Sequence, residues 1–294
     1  MQIGAVVRLG PVHAGAEPPR YPAIRDMACR IEAAGLDSIW VYDHLLYRWP
    51  GRGADGIWEC WTMLSALAAV TQRVKIGTLV MCTPFRNPAL LAKMASTLDD
   101  ISDGRLILGI GAGWHQPEFD AFGVPFDHRG GRFQEAVEII RPLLRDGRVD
   151  YQGTYYAAPD CAIIPRGPRP EGLPLMIAGK GPRMLRLTAR HADAWNTAWH
   201  ANPADAVARI ADVHAACTAE GRDPATLEIT VGLPLVYSDL GTPAFANSLE
   251  GTPEKIAAAL TGFADLGVGH VIVDIAPHTP ETLDRFVQGV RLYR

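Results

Sequence analysis

The chain contains no Cys-x-x-Cys pair, no cluster of consecutive lysines and arginines, and no stretch of about 18 apolar residues. Its five cysteines, Cys29, Cys60, Cys82, Cys161 and Cys217, are odd in number and widely spaced. They exclude a disulfide framework and read as reduced thiols of a cytoplasmic protein, an expectation that fits an N-terminus without a charged segment leading into an apolar one. A formal net charge of −4 with no basic field argues against a nucleic-acid partner. The lack of an apolar span argues against a membrane-crossing helix. The nine histidines include no His-x-x-x-His or His-x-His pair, so no metal site is expected. No Gly-x-Ser-x-Gly elbow is present for a serine hydrolase.

What is present is a globular chain with an ample core: 294 residues, 48% hydrophobic and 20% charged. Short apolar runs alternate with longer amphipathic segments. The runs Ile3–Val7, Ser38–Tyr42, Val74–Val80, Arg105–Ile110, Pro174–Ala178, Ala192–Asn196, Glu228–Val236 and His270–Ile275 have the length and continuity of parallel strands buried on both faces. Asn87-Pro88, Asn202-Pro203, Thr252-Pro253 and Thr279-Pro280 each place a capping side chain before a proline suited to a first helical turn. Leu91, Met94, Leu98 and Ile101 share one helical face, as do Phe133, Val137, Ile140 and Leu144, and Ile256, Leu260, Phe263 and Leu266. Eight strand–helix repeats over roughly 250 residues predict an α/β fold, a single (β/α)₈ TIM barrel domain over residues 1–294. The rival, an open doubly wound sheet, wants a phosphate fingerprint on the first βα turn, and Arg8-Leu9-Gly10-Pro11 is not one.

The repeats are interrupted after strand two (Leu45–Ile57), after strand four (Gly111–His128) and before strand five (Gly147–Leu173). The last contains the proline-rich run from Pro165 to Pro170. Loops after strand C-termini build the active face of a barrel.

Three places carry chemistry. Strand two ends in Val41-Tyr42-Asp43-His44, a carboxylate and an imidazole on opposite sides of the strand, either a proton-transfer pair or two strand-end caps. Strand four runs into Gly109-Ile110-Gly111-Ala112-Gly113-Trp114, where alternate glycines let a flat ligand approach the backbone. Trp114 occupies the place a dinucleotide fingerprint gives to its last glycine. Strand five runs into Gly179-Lys180-Gly181-Pro182-Arg183, a glycine-rich turn opening a helix. Its free amides and Lys180 suit a phosphate. From these residues alone a cofactor-free hydrolase or isomerase, with Asp43 and His44 as acid and base, and a non-catalytic cofactor carrier both stay open.

Taken in order, Gly35–His44, Val74–Val80 with Phe85–Pro88, Gly104–Trp114 with Glu118-Phe119 and Phe122-Gly123, and Gly179–Pro182 with Ala192–Asn196 resemble the luciferase-like flavin-dependent oxidoreductases, especially those using the deazaflavin F420. The resemblance covers nearly the whole chain. It implies an oxidoreductase that transfers a hydride between F420 and a small organic substrate, or alternatively a two-component monooxygenase using reduced FMN and oxygen. It places Asp43 and His44 beside the ring, with His44 exchanging a proton. Val80, Met81, Cys82, Ala112 and Gly113 would line the ring, and Leu79-Val80 would form a bulge behind it, often with a non-proline cis peptide. Gly179, Lys180 and Gly181 would hold the phosphate. Trp114 stands where sugar-phosphate-oxidising members have an acidic residue, which speaks against glucose-6-phosphate oxidation. The substrate pocket would draw on Tyr47, Trp49, Trp114, Trp199 and His200, bulky groups that suit a hydrophobic or aromatic compound. A homodimer and a flavin or F420 reductase supplying reduced cofactor are the partners the resemblance implies.

Overall fold

A computed structural model describes residues 1–11, 15–169, 171–245 and 247–294. At its centre lie β1 (Gln2–Val6), β2 (Ser38–Val41), β3 (Lys75–Thr78), β4 (Leu106–Gly111), β5 (Leu175–Ala178), β6 (Ala194–Ala198), β7 (Glu228–Val236) and β8 (His270–Ala276). Each pairs in parallel with the next. β8 returns to β1 through Gln2↔His270, so the eight-strand ring has no open edge. Around it run α1 (Tyr21–Ala33), α2 (Cys60–Val70), α3 (Pro88–Ile101), α4 (Arg129–Asp146), α5 (Pro182–His191), α6 (Ala204–Ala219), α7 (Pro253–Asp265) and α8 (Pro280–Tyr293). The chain forms the (β/α)₈ barrel that its periodicity predicts.

Local chemistry explains most helix starts. Asn87 accepts from the Leu90 amide, Thr252 from Lys255 and Thr279 from Thr282, each followed by proline in the first turn. Asn202-Pro203 departs from this pattern: Pro203 itself occupies the N-cap of α6, and no side chain caps that helix. The faces of α4 and α7 pack inward as the spacing predicts, although Leu266 is only partly buried. On α3, Ile101 lies at the end of the predicted stripe and is half exposed, because the helix stops there.

Two apolar layers result. The larger lies between ring and helices. The smaller fills the lumen with Val6, Trp40, Leu79, Ile107, Met176, Ala194 and Ile272. Trp40 is the largest of these, and Gly77 makes room for it: a Cβ there would lie 2.3 Å from the indole. The Trp40 Nε1–H donates to Ser38 Oγ at 2.7 Å, and Ser38 in turn bonds His270 Nε2 at 2.7 Å. Burial drives the His270 pKa down to about 3, so the lumen floor is a neutral, satisfied chain of hydrogen bonds.

The predicted third and sixth strands shift. Val74–Val80 is not one strand: pairing stops at Thr78, the Leu79–Val80 peptide is cis, and Met81–Cys82 resumes pairing against Ile110 and Gly111 of β4. The sixth strand runs Ala194–Ala198, two residues later than Ala192–Asn196, because Ala192 closes α5, its N–H donating to the Thr188 carbonyl. The three interruptions have structure of their own. The first is a hairpin (Leu46–Arg48 with Ala54–Gly56), and the second holds a short helix (Gln116–Phe122). The third begins as a hairpin, Arg148–Gln152 with Ala157–Ala162. It lies along α4, with the amides of Thr154, Tyr155 and Tyr156 on Glu135. The run after it is fastened below the barrel, Arg169 bonding Asp99 and the Leu106 carbonyl; Pro170 lies outside the described residues.

Candidate active site

The C-terminal ends of the strands carry the predicted residues on one rim, since β2, β4, β5 and β6 run parallel and each candidate follows its strand's last residue. At the end of β2 the chain alternates as expected: Asp43 and His44 face different partners.

Asp43 is buried and fully engaged. Its carboxylate accepts from the Cys82 amide at 2.8 Å and from both terminal nitrogens of Arg86, at 2.7 and 3.2 Å. Arg86 continues to Glu59, which caps α2 through the amides of Trp61 and Thr62. Burial pushes the Asp43 carboxyl pKa up, while Arg86 and the Cys82 amide oppose that shift. Burial works against the Arg86 cation too, and Asp43 outweighs it, so the guanidinium stays charged. Asp43 therefore ties the segment after the cis peptide to β2. Its oxygens are committed to Arg86 and the Cys82 amide, and the residue also lines the cavity beside His44.

His44 keeps one ring nitrogen uncommitted. Its Nδ1 lies 2.9 Å from Glu118 Oε1 and 3.2 Å from Oε2, and Glu118 also accepts from the Leu45 amide at 2.8 Å. Glu118, 1% exposed, reaches this place from the short helix after β4. A carboxylate on Nδ1 places the proton of the neutral ring there and leaves Nε2 with its lone pair. Among the described residues Nε2 has no partner. His44, Leu79, Val80, Cys82, Gly113 and Trp114 enclose a cavity of about 120 Å³.

Aromatic rings continue outward from His44. The Tyr47 ring centroid lies 4.5 Å away and that of Trp114 5.6 Å, and Trp49 approaches Trp114 at 6.0 Å. His115 closes this group from behind. It is buried, burial lowers its pKa, and its Nε2 accepts from the Arg48 amide at 3.1 Å, so it acts as a neutral strut. Across the mouth, Trp199 follows a cis Ala198–Trp199 bond and meets Tyr42 edge-on at 6.1 Å. His200 differs from the expected pocket wall. It is buried, with its ring bonded to Thr197 Oγ1 at 2.9 Å and its amide to the Gly232 carbonyl.

The glycines at the end of β4 also have a packing role. A Cβ on Gly109 would lie 2.0 Å from the Thr78 carbonyl oxygen, one on Gly111 2.8 Å from Val80, and one on Gly113 2.6 Å from Cys82 Sγ. Their missing side chains let the strand-three segment press against β4, and only beyond that layer does the backbone face the cavity. Met81 has no exposed surface and its sulfur lies beside Cys60, while the residue also lines the cavity next to His44. Ala112 is partly buried and packs on the same core. Cys82 offers its amide to Asp43 and keeps a thiol whose pKa burial drives up.

The turn after β5 is open. Gly179 accepts from the Trp195 indole at 3.0 Å, and Lys180 and Gly181 are exposed. A Cβ on Gly181 would meet nothing within 4 Å, and no side chain caps α5. The first helical amides and the Lys180 charge are thus available to an anion. Lys180 lies near enough to His200 to help burial lower that imidazole's pKa.

Sequence reasoning passed over Glu118 as a functional group and missed Arg86's hold on Asp43. The signal for the first was an acid in the loop after β4, but its partner is 74 positions away, and only closure of the ring brings them together.

The arrangement is a parallel barrel with an imidazole–carboxylate pair at a cavity and an open glycine turn on the same rim. The sequence profile of the luciferase-like monooxygenases matches residues 1–244, and the chain belongs to that family. It is 37% identical over 174 residues to an F420-dependent glucose-6-phosphate dehydrogenase of Amycolatopsis mediterranei, covering 58% of this chain and 51% of that one. It is 34% identical over 231 residues to a phthiodiolone/phenolphthiodiolone dimycocerosates ketoreductase of Mycobacterium tuberculosis, covering 71% of this chain and 59% of that one. The chain thus spans little more than half the length of these curated relatives. Its fold superposes on an F420-dependent secondary alcohol dehydrogenase with a TM-score of 0.81 at 21% identity, over 100% of this chain and 99% of that one. Among the described residues no helix is long and apolar enough to cross a membrane, and no group of three His, Cys, Asp or Glu could hold a metal.

Proposed function

We propose that this protein is an F420-dependent oxidoreductase that moves a hydride to or from a small organic substrate, with His44 exchanging the accompanying proton. The observation that carries the reading is the His44–Glu118 pair, whose free Nε2 has its lone pair available at the cavity bounded by Val80 and Gly113. The residues present fit a phosphorylated ring cofactor: an open glycine turn with unspent amides and a lysine lies on the same rim as the imidazole.

In this reading Gly179, Lys180 and Gly181 hold the phosphate, while Val80 and the backbone at Ala112 and Gly113 bound the ring. The deazaflavin, when bound, supplies or accepts the hydride. His44 Nε2 takes the proton from a substrate hydroxyl as that carbon loses hydride, or returns it to the oxygen in the reverse direction. Glu118 fixes the ring and stabilises the imidazolium. Asp43 is reassigned from the reacting pair to positioning, because its oxygens are committed to Arg86 and Cys82. Tyr47, Trp49 and Trp114 exclude water from the reacting groups.

The test is His44→Ala. This reading expects F420 binding to persist while F420-linked turnover falls about 10²- to 10⁴-fold, the usual worth of a positioned acid–base group. Unchanged turnover in a variant that binds F420 would remove His44 from the proton transfer, and F420 binding without turnover in the unaltered protein would leave a carrier.

A further inference from the structure

Beside the His44 cavity lies a second cleft of about 380 Å³, lined by Arg8, Tyr42, Tyr47, Trp49 and Asp274, among others. That volume suits a small molecule. The proposed proton transfer uses none of its polar groups. Arg8 Nε donates to Asp274 Oδ1 at 3.1 Å and Nη2 to Oδ2 at 3.2 Å, which occupies one edge of the guanidinium. Nη1 has no partner among the described residues. The Tyr42 hydroxyl is buried and makes no hydrogen bond of normal geometry among the described residues, although the Asp274 carboxylate lies close enough to act on it as an acceptor. Burial, and then the Asp274 charge, keep that phenol far from ionising, so it is a neutral donor. Buried polar atoms of this kind are completed by water or by a ligand.

The cleft's charges cancel, Arg8 and Arg52 against Asp55 and Asp274. A carboxylate or phosphate bound to Arg8 would also sit against Asp274, so the donors suit an uncharged acceptor oxygen. One wall is aromatic: Tyr47 and Trp49 stack with centroids 6.5 Å apart and planes 6° from parallel, and Tyr47 touches His44 on its other side.

We propose that Tyr42 and Arg8 together bind the carbonyl or hydroxyl oxygen of an uncharged, aromatic substrate, whose ring lies along Tyr47 and Trp49. This names the substrate class for the reaction proposed above, and it rests on that reading for the chemistry but not for the binding. The Asp274 carboxylate holds the Arg8 fork in place and repels anions.

The test is saturation-transfer NMR titration of the protein, without cofactor, against acetophenone, ethylbenzene and benzoate. Acetophenone is expected to bind about three- to tenfold tighter than ethylbenzene, the worth of a hydrogen bond or two, and tighter than benzoate. Tyr42→Phe should remove most of that margin while leaving ethylbenzene unchanged, and Arg8→Lys should reduce it. Equal binding of acetophenone and ethylbenzene, benzoate binding tightest, or an undiminished margin in Tyr42→Phe would overturn the proposal. If Tyr42→Phe does not fold, the order of the three probes on the unaltered protein still decides. Parallel F420 titration separates the two readings: failure to bind F420 with the probe order intact would overturn the F420-dependent function and leave this site standing.

Discussion

His44 Nδ1 and Glu118 Oε1 are 2.9 Å apart, although 74 positions separate them in the chain. The contact joins the end of β2 to the short helix after β4, and the same carboxylate receives the Leu45 amide. One buried acid thus sets both the position of the imidazole and the nitrogen on which its proton rests.

Glu118→Gln should loosen that control. In the unaltered protein the neutral His44 ring carries its proton on Nδ1, visible in imidazole ¹⁵N–¹H correlation spectra. In the variant that tautomer should lose its dominance, with the fold intact. An unchanged tautomer would show that Glu118 does not orient the ring.

Asp43 and His44 should separate cleanly by stability. Asp43→Ala leaves Arg86 mostly buried without its main counter-charge and strands the Cys82 amide. The expected loss is about 3–5 kcal/mol in unfolding free energy by urea titration. His44→Ala should cost less, about 1–2 kcal/mol, since buried Glu118 keeps the Leu45 amide as a partner. Equal costs would contradict the division into a positioning and a reacting residue.

The glycines predict opposite outcomes. Gly109→Ala drives a Cβ onto the Thr78 carbonyl oxygen, a backbone atom that cannot move aside, and should severely destabilise the barrel. Gly181→Ala meets open space at a φ of −81° and should leave the melting temperature nearly unchanged. It fills the proposed phosphate turn, so F420 affinity should drop roughly tenfold, the worth of a hydrogen bond to a charged group. Thermal melts and cofactor titrations of the two variants check both halves.

How much of this was legible in the sequence follows from what each feature depends on. Strands and most helix starts are local, and Asn87, Thr252 and Thr279 cap where their spacing says. Apolarity alone makes strand three continuous, because Leu79 and Val80 are as apolar as their neighbours; the cis bond between them was expected from the family resemblance, not from their side chains. The rim residues were found, but their division of labour was not. Asp43 looked like the partner of His44 because they are adjacent, whereas its partner Arg86 arrives from 43 positions away. The alternate glycines at the end of β4 read in the sequence as a ligand's approach, and they are also where two segments of the ring press together, with Gly113 lining the cavity.

His270 should govern part of the acid stability. Burial holds its folded pKa at about 3, against 6.5 for an exposed histidine. Between those values the unfolded chain takes up a proton that the folded chain refuses. The fold is therefore intact above about pH 6.5 and loses ~1.4 kcal/mol per pH unit from this residue as pH falls. His270→Gln should flatten the slope of unfolding free energy against pH by about that amount, as read from urea titrations at pH 7, 6 and 5 (~1.4 kcal/mol per unit). An unchanged slope would place the proton uptake elsewhere.

The account's central claim is that the rim holding His44 and the Gly179–Gly181 turn binds a deazaflavin. The direct measurement is fluorescence titration of the purified protein with F420 and, separately, with FMN. Saturable binding of F420 in preference to FMN, weakened by Gly181→Ala and not by His44→Ala, is the predicted result. Tight FMN binding with none for F420, joined to substrate-dependent oxygen consumption, would contradict it and make the protein a flavin monooxygenase.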